Sequence, residues 1–253
     1  MKPILLFDLD NTILNFDSGE RAALLAAFKS FGIEASEKML ADYHAINIKH
    51  WEKLERGELT RLEVLEGRFD ELFALYGIDC SGRRIQGAYE HELGKHYDFM
   101  PGAKELLEQL YEDNELYIVS NGCAEIQRSR IEGAGLKKYF KAFFVSENIG
   151  FDKPQKAFFD YCFAHIPDFS PDRAVVIGDS LTSDILGGIN SGLKTCWYDF
   201  KNKGSSDAIR PDAVIHDLSE LPEVLGFIMS AEVNPDVPNK TTAAAIAEGR
   251  ALL

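Results

Sequence analysis

Ile4-Leu5-Leu6-Phe7-Asp8-Leu9-Asp10-Asn11-Thr12 is the stretch that decides the fold of this chain. Its four leading apolar residues are typical of a strand buried on both faces, as in a parallel sheet covered by helices. Two carboxylates follow one residue apart, Asp8 and Asp10. Open α/β sheets bind ligands at the carboxyl ends of their strands, so these acids lie where a ligand-binding or catalytic site is expected. Because close carboxylates repel each other, the pattern predicts a bound cation or a shared proton.

The rest of the chain shows two kinds of apolar spacing. From residue 15 to residue 97 the spacing is helical, and it predicts four consecutive helices. These predicted helices are 21–31, 37–54, 60–77 and 83–93. From residue 100 onwards, short apolar strands alternate with helices, which is typical of a doubly wound parallel sheet. The pattern therefore predicts an α/β protein with an inserted all-helical domain, but it does not reveal the order of the strands.

The same patterns predict where the domains begin and end. The α/β core domain is expected to comprise residues 1–14 and 98–230. The helical insert is expected to comprise residues 15–97, since about 80 residues exceed any ordinary strand-to-helix connection. A Pro-containing linker and an Ala-rich segment of helical propensity are predicted for residues 231–253.

The composition is that of an acidic protein. Its 253 residues include 41 acidic and 27 basic side chains, a net charge of −14. Nucleic acid polymers and anionic membranes attract clustered Lys and Arg, so neither is an expected partner. No apolar run approaches the roughly 18 residues of a membrane span, and the acid-bearing first strand is unlike a signal peptide. Four scattered cysteines without CxxC spacing favour reduced thiols and a cytoplasmic location.

Polar residues also follow three later predicted strands. They are Ser120 with Asn121, then Lys153, and finally Asp179 with Asp184. Taken singly, a serine or aspartate after a strand often caps the next helix, and a loop lysine is usually solvated. In a parallel sheet, however, all these strand ends lie at one edge. The sequence therefore predicts that a hydroxyl, a lysine and two further acids converge on the first two aspartates.

The chain resembles the haloacid dehalogenase (HAD) superfamily in four motifs, which stand here as Asp8-Leu9-Asp10-Asn11-Thr12, Ser120-Asn121-Gly122, Lys153-Pro154 and Gly178-Asp179…Asp184. The resemblance extends to about residue 225 and is greatest to the pyrimidine 5′-nucleotidases. It implies a HAD-like Rossmannoid core, and it makes the helical insert a C1-type cap domain. The segment beyond residue 229 is not part of the pattern.

The resemblance implies a phosphatase with a covalent intermediate. The carboxylate of Asp8 would attack phosphorus and form an aspartyl-phosphate. Asp10 would protonate the leaving oxygen and then activate water for the second step. Asp10 also favours phosphoryl transfer over carbon–halogen hydrolysis, because the dehalogenase members that the chain resembles lack an acid at that position.

The resemblance also implies a bound cation and a phosphate cradle. Mg²⁺ would be held by Asp8, the backbone carbonyl of Asp10, and Asp179. Asp184 is expected to stand outside these direct ligands, where it binds a metal-bound water or orients the lysine. The phosphoryl oxygens would be held by Ser120, the backbone of Asn121, and Lys153.

The expected substrate is a small phosphomonoester, foremost a pyrimidine nucleoside monophosphate. Alternatives are a sugar-phosphate or phosphoglycolate-type phosphatase, a phosphomutase, and a non-catalytic sensor of a phosphorylated metabolite. Candidate substrate contacts in the helical insert are Phe16, Tyr43, His44, Lys49, His50 and Trp51. For Tyr43 and Trp51 the favoured alternative is packing within the helical domain, because aromatic side chains on helices are mostly buried in the core. The pattern leaves monomer and homodimer open.

Overall fold

The computed structural model describes residues 1–204 and 208–230, so the predicted linker and Ala-rich segment at 231–253 lie outside the described residues. The chain divides into two compact units. One contains Met1–Leu14, Phe99–Gly122 and the described residues from Leu136 onwards, and the other contains Asn15–Asp98 and Cys123–Gly135. Among the described residues, no helix combines the length and the apolar character needed to cross a membrane.

The first unit contains a parallel sheet, which confirms the predicted fold class. Within the described residues it has six strands in the order β3-β2-β1-β4-β5-β6. The strands are β1 (Ile4–Phe7), β2 (Glu115–Ser120), β3 (Phe140–Val145), β4 (Ala174–Gly178), β5 (Lys194–Tyr198) and β6 (Ala213–Ile215). Strand β1 lies in the middle, where Phe7 is in register with Ile118 of β2 and with Ile177 of β4. The first strand of the sequence therefore lies between β2 and β4.

Helices cover this sheet. They are α5 (Ala103–Leu110), α7 (Ser146–Ile149), α8 (Lys156–His165), α9 (Leu186–Asn190) and α10 (Leu221–Ser230). All four side chains of β1 have no exposed surface, as expected for a strand covered on both faces. Ile4 and Leu6 belong to one buried cluster with Phe158 and Phe159 of α8. Alternate β1 residues thus share a buried core with α8.

The second unit is helical. Its helices are α1 (Phe16–Ser30), α2 (Glu37–Glu55), α3 (Arg61–Tyr76), α4 (Gly82–Leu93) and α6 (Ala124–Gly133). The predicted capping box is present at α3, where Thr60 and Glu63 bond each other's backbone N–H. Gly77 ends this helix in the left-handed region with φ 63°. Helix α1 begins five residues before its predicted start, because the Asn15 side chain caps the N–H of Ser18.

Helix α6 has its contacts in the helical unit, although the predicted domain boundaries included residues 124–133 in the core. The Ser129 hydroxyl donates to the carbonyl of Gly94 at 2.9 Å, and Nε of Arg130 donates to the carbonyl of His96 at 2.9 Å. Both carbonyls lie just after the end of α4, so no backbone N–H of a following helical turn is available to donate to them. Polar side chains of α6 therefore attach it to the end of α4. The boundaries predicted from sequence remain a prediction.

Candidate active site

The carboxyl ends of the parallel strands carry the residues predicted to form the site. Asp8 directly follows β1, and its backbone N–H donates to the carbonyl of Ile177 at 2.8 Å. Asp179 directly follows β4, and Ser120 is the last residue of β2. Because the strands are parallel and adjacent, these ends lie at one edge of the sheet. The predicted convergence depends on this strand order, which the sequence did not disclose.

A tight turn after β1 carries Asp10. The N–H groups of Ile13 and Leu14 both donate to the carbonyl of Leu9, at 3.0 and 2.8 Å. Asn11 adopts a left-handed conformation with φ 58°, which asparagine tolerates better than most residues. The turn closes with a bridge between Asp10 and Leu14. Asp10 is thereby held half-buried, two residues beyond Asp8.

Lys153 is the centre of the charged cluster. Its side chain is 1% exposed, and its ammonium nitrogen makes three hydrogen bonds. It donates to Asp8 Oδ1 at 2.8 Å, to Asp184 Oδ1 at 2.6 Å and to the carbonyl of Val119 at 2.7 Å. An ammonium has three protons, so all of its donors are used. The bonds fix the nitrogen between two carboxylates that are far apart in sequence.

The charges at this edge of the sheet are unbalanced. Burial raises the pKa of Asp8 to about 7, and the positive charge of Lys153 opposes that rise. Burial and the charge of Asp8 raise the pKa of Asp179 well above its usual range. Burial alone would lower the pKa of Lys153, but the charges of Asp184 and Asp8 outweigh it and raise that pKa. Ionising these carboxylates together is therefore unfavourable with the lysine charge beside them, and a further cation would favour their ionised forms.

The residues present fit a divalent cation. Asp8, Asp179 and Asp184 each offer a carboxylate oxygen, and these oxygens all lie within 4.8 Å of one another. Carboxylate oxygens are the ligands that Mg²⁺ prefers, and this ion usually keeps several waters as its other ligands. The set contains neither sulfur nor imidazole, so the donor chemistry disfavours zinc.

Asp184 is held in place by its backbone surroundings. It lies in a single π-helical turn, Leu181–Ile185, directly after the β4 loop. Its Oδ2 accepts the N–H of Ser180 at 3.1 Å, and its Oδ1 accepts from Lys153. Gly178 makes room for this carboxylate, because a Cβ at residue 178 would overlap it. The contact with Lys153 supports the expectation that Asp184 orients the lysine.

Two contacts in this cluster were missed by sequence analysis. The Asn121 side chain pairs with the backbone of Lys153, although only the Asn121 backbone was expected to act. The indole Nε1–H of Trp197 donates to the carbonyl of Asp179 at 2.9 Å. Trp197 is buried on β5, and in sequence it is indistinguishable from a core aromatic residue. Neither contact has a local sequence signal, since each depends on which strands are neighbours.

The helical unit packs several of the side chains proposed as substrate contacts. Tyr43 is completely buried, and its ring lies 4.9 Å from that of Phe69 between centroids. His50 is 7% exposed, and its Nε2 lies 2.9 Å from Glu71. Trp51 is half-buried beneath the Arg61 guanidinium, 5.7 Å from its ring centroid. For Tyr43, the packing alternative describes the observed environment.

The other three candidates in this unit are less buried. Phe16 is partly buried against the helical core, and Lys49 is exposed. His44 Nδ1 lies 2.7 Å from the buried carboxylate of Glu20. None of these contacts identifies a residue that reads a substrate.

Comparison with known proteins gives consistent matches. The family model described as haloacid dehalogenase-like hydrolase matches residues 5–198. The HAD-hydrolase YfnB of Bacillus subtilis is 40% identical over 223 residues, covering 88% of this chain and 95% of YfnB. The pyrimidine 5′-nucleotidase PynA of Streptococcus pneumoniae is 33% identical, covering 87% of this chain and 94% of PynA. The pyrimidine 5′-nucleotidase YjjG of Escherichia coli is 30% identical, covering 87% of this chain and 96% of YjjG. The crystal structure of YfnB bound to magnesium has a TM-score of 0.85, covering 88% of this chain and 98% of that one.

Proposed function

The chain belongs to the haloacid dehalogenase-like hydrolase family, and on that premise we propose that it is a Mg²⁺-dependent phosphomonoester hydrolase. The observation that carries the proposal is the position of the Lys153 ammonium, 2.8 Å from Asp8 and 2.6 Å from Asp184. A lysine held against a buried carboxylate at a strand end supplies positive charge where a phosphate dianion would otherwise be repelled. The proposed substrates are pyrimidine nucleoside monophosphates.

The proposed reaction has two steps. In the first, a carboxylate oxygen of Asp8 attacks phosphorus, the bond to the ester oxygen breaks, and Asp10 gives its proton to the leaving alcohol. In the second, Asp10 takes a proton from a water molecule that attacks the aspartyl-phosphate. The phosphorus–carboxylate bond then breaks, which releases inorganic phosphate and restores Asp8. The tight turn after β1, which holds Asp10 two residues beyond Asp8, supports this division of roles.

The remaining residues are assigned to binding. Asp8, Asp179 and the backbone carbonyl of Asp10 would hold Mg²⁺, which supplies positive charge that neutralises the phosphate. Ser120 and the Asn121 backbone would hold the phosphoryl oxygens. Lys153, whose three N–H groups are already donated to protein oxygens, would contribute to phosphate binding through its positive charge. Asp184 orients Lys153 through the 2.6 Å contact. Each electrostatic group of this kind typically contributes roughly 10²–10³ in rate.

The substrate class is supported by two relatives named pyrimidine 5′-nucleotidases, PynA and YjjG, at 33% and 30% identity. The decisive experiment is phosphate release from a panel of nucleoside monophosphates and sugar phosphates, compared by kcat/KM with and without Mg²⁺. We expect a pyrimidine nucleotide to rank first. If a sugar phosphate exceeds every nucleotide by tenfold, about 1.4 kcal/mol in the barrier, the substrate class is wrong.

The covalent step has its own test. Asp8→Asn keeps the size of the side chain but removes the nucleophilic charge, so turnover should vanish while the far-UV spectrum stays that of the folded protein. Asp172→Asn makes the same chemical change at an exposed position of the same unit and should retain full activity. Substantial turnover by Asp8→Asn would rule out the aspartyl-phosphate.

A further inference from the structure

We propose that the side-chain amide of Asn121 is a positioning residue that sets the place of the Lys153 ammonium, separate from the phosphate-binding role of the Asn121 backbone. Asn121 Nδ2 donates to the carbonyl of Lys153 at 2.8 Å. Asn121 Oδ1 accepts the backbone N–H of Lys153, also at 2.8 Å. One side chain thus satisfies both polar groups of one residue's backbone, 32 positions along the chain.

The backbone of Lys153 needs such a partner because no regular element holds it. Residue 153 lies in the connection between α7 and α8, outside both helices and outside the sheet. Among the residues that the structure describes, Asn121 is the hydrogen-bond partner of both its N–H and its carbonyl. Buried backbone groups left without a partner are costly, so the pairing with Asn121 fixes this point of the connection.

Fixing the backbone matters because the far end of the side chain tolerates little displacement. The Lys153 ammonium donates to Asp8, Asp184 and the Val119 carbonyl at 2.6 to 2.8 Å. Lysine is a flexible four-carbon chain with a point charge at its end, so its position is set by where its Cα lies and by what surrounds it. Asn121 directly follows Ser120, the last residue of β2. The amide therefore holds the Lys153 backbone at a fixed place relative to the end of β2, and this backbone position limits where the ammonium can lie.

The amide group is chemically suited to this task. It is a donor and an acceptor at once, as the pairing with an N–H and a carbonyl requires. An alanine at position 121 loses both hydrogen bonds. A glutamine keeps both functions but displaces them by one methylene.

The experiment is a double-mutant cycle between residues 121 and 153, and its kinetic arm rests on the proposed phosphatase function. Asn121→Ala should lower kcat by about 10- to 100-fold, with a smaller effect on KM, because misplacement of a catalytic group by about 1 Å costs up to 10²-fold. In the Lys153→Met background the same change should have no further effect on kcat. Effects that multiply across the two positions would overturn the proposal, because Asn121 would then act independently of Lys153.

A matched control separates positioning from general stability. Asn114→Ala also removes a hydrogen bond from an asparagine Nδ2 to a backbone carbonyl, that of Leu110 at 2.9 Å, in the same unit. It should retain wild-type kcat even if it lowers the midpoint of thermal unfolding as much as Asn121→Ala does. An equal loss of kcat in both variants would mean that Asn121 is merely structural.

The second arm is independent of activity. In a crystal structure of Asn121→Ala, the Lys153 ammonium should no longer lie within hydrogen-bond distance of both Asp8 and Asp184. An unmoved ammonium would refute the inference even if the wild-type protein proves to be an active phosphatase. A displaced ammonium would support it even if no phosphatase substrate is found. Should Asn121→Ala fail to fold, Asn121→Gln replaces it, with the same displacement expected and the same refutation.

Discussion

Lys153 Nζ lies 2.8 Å from Asp8 Oδ1, although the two residues are 145 positions apart in the sequence. Both side chains are buried, at 1% and 9% exposure, so water screens their interaction little. The charge of Lys153 opposes the rise in the pKa of Asp8, and the charge of Asp8 helps to raise the pKa of Lys153, so each favours the ionised form of the other. Removal of Lys153 leaves the buried Asp8 carboxylate without this cation, which is expensive, whereas removal of Asp8 leaves Lys153 paired with Asp184.

The first prediction is that Lys153→Met abolishes most activity and lowers stability. We expect kcat/KM to fall by about 10²–10³, the usual contribution of one electrostatic group in an active site. We also expect a lower midpoint of thermal unfolding, since Asp8 and Asp184 lose their shared cation. Phosphate release and thermal unfolding measure the two effects.

Its control is Lys156→Met, three residues further on. Lys156 is 61% exposed and pairs with Asp160 on the surface of α8. Exposed ion pairs contribute little, so this variant should match the wild type in both measurements. If Lys153→Met also behaved like the wild type, the buried contacts would have no catalytic role.

The second prediction concerns Gly178→Ala. A methyl group at this position would lie 2.7 Å from Asp184 Cβ and closer still to its carboxylate. Asp184 would have to move away from Lys153, so activity should fall sharply, and the overpacking should cost about 1–3 kcal/mol of stability. Steady-state kinetics and denaturant unfolding provide the readouts.

Gly226→Ala is the matched variant for that test. Gly226 lies in α10, and among the described residues a Cβ there meets no heavy atom within 4 Å beyond the backbone of its own helix. Because alanine favours a helix more than glycine does, this change should stabilise the protein by about 0.5–1 kcal/mol and leave activity intact. Full activity in Gly178→Ala would show that the Asp184 carboxylate can move without consequence.

The third prediction is that Mg²⁺ stabilises the folded protein. A cation bound only by the folded state at one hundred times its dissociation constant adds about 2.7 kcal/mol. Thermal unfolding in millimolar Mg²⁺ should therefore show a higher midpoint than unfolding in a chelator. Asp179→Asn should lose most of this increase, whereas the exposed control Asp172→Asn should keep it. A wild-type midpoint that ignores Mg²⁺ would contradict the assignment of the cation site.

The fourth prediction concerns a buried network of side-chain hydrogen bonds in the helical unit. Arg68 is 3% exposed and donates to Asn47 Oδ1 at 2.7 Å and to Gln86 Oε1 at 3.1 Å. The other end of each amide donates to a carboxylate, Asn47 to Glu20 at 2.7 Å and Gln86 to Glu90 at 2.8 Å. The guanidinium is thus connected to two acids through two amides.

Replacement of Arg68 by methionine should break this network. The two amide oxygens would remain buried without a donor, and each such group costs about 1–3 kcal/mol. The measurement is the free energy of unfolding, with hydrogen exchange of α2 and α4 as a local readout. Arg56→Met is the control, because Arg56 is 53% exposed and its partners lie on the surface. Equal stability in the two variants would mean that the buried network contributes nothing.

Much of the fold follows from local patterns in the sequence. The apolar run before Asp8 predicts a buried parallel strand, and the switch to helical spacing predicts the helical insert. The capping box at Thr60 and the glycine at 77 locate both ends of α3. The start of α1 was predicted too late, because the Asn15 cap stands before the first clear apolar repeat. Local spacing also could not show that α6 attaches to the end of α4, since that depends on contacts with residues 94 and 96.

The sequence by itself determined the fold class, the family, and which residue types stand at the strand ends. Each of these can be recognised from local apolar spacing or from short contiguous motifs. The tertiary structure decided the strand order, the three hydrogen bonds of the Lys153 ammonium, and the pairing of the Asn121 amide with the Lys153 backbone. These contacts join segments from 31 to 145 residues apart. Their geometry depends on which strands are neighbours, and no local pattern of apolar and polar residues encodes that.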